Sequence, residues 1–116
     1  MSKRSVEEMS YLWVYVTAGS RDEAVAIGRQ VVAARLAACA NVLDGMRSLY
    51  WWGGEIEEES EAVLILKTRE SLLAPLVEKV KSLHSYDCPC VIALPILGGN
   101  PDYLQWLADE TGEAAR

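Results

Sequence analysis

The feature that most constrains this fold is a Gly53-Gly54 pair set between two long extended runs. Adjacent glycines supply the positive-φ positions that a two-residue hairpin turn needs. Ala40 to Trp52 leads in, and Glu55 to Thr68 leads out. The two arms together cover roughly thirty residues, where an ordinary strand has ~5–6. The far end of such a hairpin projects beyond any small sheet. Asp44-Gly45 marks a kink in the first arm, and Ala62-Val63-Leu64-Ile65-Leu66 in the second is apolar enough for a sheet centre.

The remaining elements follow from periodicity. Tyr11 to Thr17 is dense in aromatic and β-branched residues and reads as a strand, broken by Ala18-Gly19. Ser20 with Glu23 three residues on is a capping-box pattern. Ala24, Ile27, Val31, Ala34 and Ala38 then recur at helical spacing. A second helix runs from about Ser71, its expected N-cap, to His84, with Leu73, Leu76, Val77, Val80 and Leu83 on its apolar side. Cys90 to Leu97 is the fourth strand. Asn100-Pro101 opens a short last helix, with proline at its first position. The order βαββαβ plus a short C-terminal helix is an α+β, ferredoxin-like arrangement with an extended β2–β3 hairpin. One domain spans residues 11–110, with residues 1–10 and 111–116 expected as flexible tails.

Two helices cover only one face of a four-stranded sheet, so the other face should carry polar side chains. It does not. Tyr11, Trp13 and Tyr15 oppose Leu12, Val14 and Val16; Val63 and Ile65 oppose Ala62, Leu64 and Leu66; Ile92, Leu94 and Ile96 oppose Val91, Ala93 and Leu97. Both faces are apolar, which predicts an oligomer. The hairpin end, with Leu49, Tyr50, Trp51, Trp52 and Ile56, reads as an arm for a neighbouring subunit. A bent hairpin folding back on its own chain is the plainer alternative.

Eleven basic against seventeen acidic residues give a net charge of −6. That field repels phosphate backbones and argues against nucleic acid. No apolar run approaches the roughly 20 residues of a membrane span, and the first ten residues do not form a secretory signal. Three cysteines make no disulfide framework. A cytoplasmic protein with free thiols is the expectation.

His84, the sole histidine, precedes Ser85-Tyr86-Asp87-Cys88-Pro89-Cys90. Imidazole and thiolates suit copper or zinc, so His84, Cys88 and Cys90 form a candidate metal set. Cys39 could join only through the fold. The same residues also read as a helix-end histidine bonded to carbonyls and as packing cysteines. Lys67 ends an apolar strand. It reads either as a lysine snorkelling to the surface or as the cation of an anion pocket with Tyr86, Trp52 and Asp87. The acidic run Glu55, Glu57, Glu59 and Glu61 reads as a solvated face, and no organic cofactor is called for. No nucleophile–base pair is readable, so an enzyme is not expected.

Several stretches together resemble the CutA divalent-cation-tolerance family. They are Arg35-Leu36-Ala37-Ala38-Cys39 with Asn41, Ser48-Leu49-Tyr50-Trp51-Trp52-Gly53-Gly54, Glu61, Lys67-Thr68, His84-Ser85-Tyr86, Pro89, Pro95-Ile96 and Tyr103-Leu104-Gln105-Trp106. The resemblance implies a PII-like homotrimer of ferredoxin-like subunits, a cytoplasmic role in tolerance of copper or another divalent metal, and polar residues Lys67, His84, Tyr86 and Trp52 lining a cleft between subunits. A PII-like sensor of a small anionic metabolite and a scaffold for a protein partner are the alternatives. The family pattern has proline and two glutamates where this chain has Ser85, Asp87 and Cys90. Proposed copper ligands of some members fall at Val16 and Leu83 here. Cys88 and Cys90 would then supply thiolates that favour Cu(I).

Overall fold

Strand β1 (Tyr11–Ala18) lies inside the sheet, hydrogen-bonded on both sides, in a computed structural model that describes residues 10–112. Helix α1 (Arg21–Ala33) follows, then β2 (Cys39–Trp52) and β3 (Glu55–Arg69). A 3-10 turn (Glu70–Leu72) leads into α2 (Leu73–Leu83), β4 (Val91–Ile96) and α3 (Pro101–Asp109). The sheet order is β2-β3-β1-β4, antiparallel throughout, as the element order requires. The expected N-terminal tail lies outside the described residues except for Ser10, whose carbonyl accepts the Glu70 N–H at 2.8 Å.

One face of the sheet makes the core. Leu12, Val14, Val16, Ala62, Leu64 and Leu66 meet Ala24, Ile27 and Val31 of α1 and Leu76 and Val80 of α2. Each fully buried aliphatic side chain contributes about 1.5–3 kcal/mol. Gly28 lets α1 sit close to the sheet: a Cβ there would lie 3.0 Å from Leu64 and 3.1 Å from Ala40.

The opposite face is covered only in part: Tyr11, Val63 and Ile65 are buried on it, and Tyr103 of α3 reaches Lys67, while its β4 side stays open. Residues paired across strands share a face, so Trp13 lies beside Lys67 and Leu94, and Tyr15 beside Ile65 and Ile92. Ile92 is 56% and Leu94 48% exposed. Leu97, expected as a strand residue, lies past the end of β4 and is fully exposed, because the ladder with β1 stops at Tyr11–Ile96.

The hairpin turns at Gly53 (φ 59°) and Gly54 (φ 83°), the positive pair of a type I′ turn. Its register advances three residues on β2 for two on β3 between Leu43 and Met46. This bulge, with Gly45 at φ 81°, is the kink foreseen at Asp44-Gly45. Beyond β1, the arm runs free and stretches the molecule to 53 × 25 × 24 Å. Leu49, Trp51 and Ile56 share one of its faces and Trp52 projects from the other; all four are more than 60% exposed.

Helix ends depart from expectation in two places. Ser71 falls in the 3-10 turn and Leu72 occupies the N-cap of α2 without a side-chain cap, because Pro75 fits within the first helical turn from Leu73. At the end of α1, Arg35 takes the left-handed conformation (φ 62°) where glycine is usual. Leu36 N–H bonds to the Val31 carbonyl and Arg35 N–H to that of Val32, closing a Schellman motif. The Arg35 guanidinium pairs with Glu110 at 2.7 Å, and its carbonyl accepts the Gly112 N–H at 2.8 Å. Arg69 binds the Thr111 hydroxyl and carbonyl at 2.8 and 2.7 Å. Thr111 is buried, so residues 111 and 112 belong to the domain and not to a flexible tail.

Candidate functional site

Helix α2 ends at His84, whose N–H still bonds the Val80 carbonyl at 3.0 Å while its own backbone turns extended. That turn drives the imidazole inward, where its side chain is 0% exposed. Nε2 lies 2.7 Å from the Thr17 carbonyl, and Nδ1 accepts the Tyr86 N–H at 3.1 Å. A carbonyl can only accept and an amide N–H can only donate. The ring is therefore the neutral tautomer with its proton on Nε2, and both nitrogens are engaged.

Glu23 ties α1 to this loop. Its carboxylate accepts Gly19 N–H at 3.2 Å and Ser85 N–H at 2.8 Å, while the Ser20 hydroxyl accepts Glu23 N–H at 3.1 Å. The foreseen capping box thus forms, but its carboxylate returns to Gly19 rather than to Ser20. Burial opposes ionisation of Glu23. Hydrogen bonds from the Ser85 side chain, Ser85 N–H and Gly19 N–H outweigh it and hold the carboxyl below its ordinary value. Sequence reasoning saw Glu23 only as a cap; the long-range bond to Ser85 had no sequence signal.

The Tyr86 ring lies tilted against His84, centroids 4.7 Å apart, and its hydroxyl donates to Glu61 at 2.8 Å. Burial, this hydrogen bond and the charges of Glu61, Glu59 and Glu23 push the phenol well above its usual range. Burial and then Glu61 likewise raise the Cys90 thiol. Asp87, Cys88 and Cys90 are exposed.

The expected anion pocket is not assembled within one chain. Lys67 sits six residues along β3 from Glu61, roughly 20 Å at strand rise. Its ammonium meets the Tyr103 hydroxyl at 3.4 Å and lies over that ring, 5.5 Å from the centroid. Trp52 lies at the hairpin tip opposite Glu55. Cys39 pairs with Lys67 and bonds Asn41 Oδ1 at 3.7 Å, four rungs away from the Val63–Thr17 pair above His84. Two surface grooves of about 620 and 530 Å³ flank α1, and none of His84, Lys67, Tyr86 or Trp52 lines either.

The metal set fares no better as a trio. His84 has no free nitrogen, and among the described residues no three His, Cys, Asp or Glu side chains are arranged around one point for a metal ion. The residues present do not fit a His84-centred metal.

A split βαββαβ sheet with a partly open apolar face, a long hairpin and a histidine-locked loop defines a small α+β protein. The sequence profile of the CutA1 divalent ion tolerance protein family matches residues 12–110, and the chain belongs to that family. It is 48% identical over 101 residues to the chloroplastic protein CutA 1 of Oryza sativa, covering 87% of this chain and 57% of the relative. It is 43% identical over 99 residues to the divalent-cation tolerance protein CutA of Thermus thermophilus, covering 85% and 96%. The crystal structure of rice CutA1 superposes with a TM-score of 0.88 at 46% identity, covering 90% of this chain and 96% of that one. The chain spans little more than half the length of the plant relatives. The cytoplasmic location expected from the sequence does not stand. The rice and Arabidopsis thaliana relatives are chloroplastic, and the related Archaeoglobus fulgidus structure is of a periplasmic protein.

Proposed function

We propose that this protein serves divalent-cation tolerance as a homotrimer that binds metal ions, in a binding rather than a catalytic role. The observation that carries the assembly is the open β4 side of the sheet's second face, with Ile92 and Leu94 half exposed, together with an arm bearing exposed Leu49, Trp51, Trp52 and Ile56. A protein in water covers such surface with a partner, and a second and third copy offer the same surface in closed symmetry. The number three is what the resemblance to the family implies. The family's role in divalent ion tolerance supports the metal reading.

Native mass spectrometry tests both parts. The expected spectrum is a three-subunit ion that takes up Co(II) or Cu(II) in whole-number steps. Leu94→Glu, which places charge on the open β4 side of that face, is expected to shift the mass toward one subunit. A wild-type monomer at micromolar concentration, or a trimer indifferent to divalent ions, would overturn the corresponding part.

A further inference from the structure

We infer that soft-metal chemistry in the loop after α2 belongs to Cys88 and Cys90 alone, with His84 withheld as a fixed strut. The inference rests on the metal-binding reading above and gives it a place and a ligand class.

A neutral imidazole has one nitrogen lone pair to offer a metal. Here that pair, on Nδ1, already accepts the Tyr86 N–H at 3.1 Å. The other nitrogen carries the proton given to Thr17 at 2.7 Å. Coordination through Nδ1 strands the Tyr86 donor; coordination through Nε2 strands the Thr17 carbonyl. Either loss leaves a polar group unpaired around a ring that water does not reach.

The two thiols stand differently. Both are exposed and outside any disulfide, in an irregular segment, and among the described residues neither has a hydrogen-bond partner. One residue separates them, Pro89, whose ring holds φ near about −65°. Cys-Pro-Cys is thus a short, stiffened pair of soft donors. Thiolates select Cu(I) and like cations, which accept two sulfur ligands. On uptake each thiol gives up its proton and each sulfur forms one bond to the cation. Two protons leave and no electron moves.

The test is anaerobic native mass spectrometry of the full chain with Ag(I), a redox-inert stand-in for Cu(I). Wild type, His84→Gln and Cys39→Ser are each expected to bind one Ag(I) per subunit with affinities within threefold. The Cys88→Ser/Cys90→Ser variant is expected to bind at least a hundredfold more weakly. Because His84→Gln can disturb folding, the wild-type imidazole is also followed by ¹⁵N NMR during the titration, and both nitrogen shifts are expected to stay put. A shift of either nitrogen, loss of uptake in folded His84→Gln, or undiminished uptake by the double serine variant would overturn the inference. Wild type that takes up Co(II) or Cu(II) but no Ag(I) sinks this inference and leaves the earlier reading standing. Wild type that takes up none of these ions sinks both.

Discussion

His84 shows how one side chain can hold two backbone segments that have no ladder of their own. Its ring joins the end of β1 to the loop carrying Tyr86, and Glu23 fastens the same loop from α1. Truncating the ring leaves the Thr17 carbonyl and Tyr86 N–H without partners. At ~1–3 kcal/mol for each unsatisfied group, partly relieved by entering water, His84→Ala is expected to cost about 2–4 kcal/mol in urea unfolding. Glu23 adds a pH signature. Its folded-state pKa lies below the ordinary 4.5, so its stabilisation is complete above that value. It fades as pH falls through the lower folded value. Glu23→Gln is therefore expected to flatten that stretch of the stability–pH curve, measured by denaturation from pH 2 to 6. An unchanged acid limb would show that another carboxylate dominates.

At the scale of elements, two glycines carry opposite lessons. Gly54 sits at φ 83° with open space around its Cβ position, so its value is purely conformational. Gly54→Val is expected to destabilise by about 1–2 kcal/mol, the cost of a left-handed branched residue. Gly28 has an ordinary helical backbone and tight surroundings. Alanine there gains up to ~1 kcal/mol of helix propensity but presses on Leu64 and Ala40. Ala40 belongs to β2 and Leu64 is fully buried, so neither yields easily. Overpacking at ~1–3 kcal/mol outweighs the gain, and Gly28→Ala is expected to lower stability by about 1 kcal/mol. A rise in Tm would mean that α1 can shift outward. The element order itself was readable, because each pattern repeated over enough residues. The start of α2 was not: Ser71 is a good cap by type, yet the chain enters through a 3-10 turn.

For the whole molecule, the proposed assembly makes stability a function of concentration. Partners that bind only the folded chain raise Tm as protein concentration rises. Tm is expected to climb over a hundredfold concentration range for wild type and to stay flat for Leu94→Glu. A wild-type Tm independent of concentration would mean that the open β4 side of the sheet does not drive assembly.

The βαββαβ order, the hairpin turn, the kink at Asp44-Gly45, the apolar character of both sheet faces and the family were all legible in the residues. These depend on local backbone preference and on side-chain alternation, which are written residue by residue. The surroundings of the chemistry-bearing residues were not legible there and come from the closed fold. Lys67, Tyr86 and Trp52 read as neighbours in a list of polar residues, but within one chain the long hairpin and the sheet register hold them far apart. His84 looks like a ligand beside two cysteines, but burial and two backbone partners from distant segments use up its nitrogens. Hydrogen-bond partners at long sequence separation leave no periodic trace, so the fate of a lone histidine is settled only when the chain closes around it.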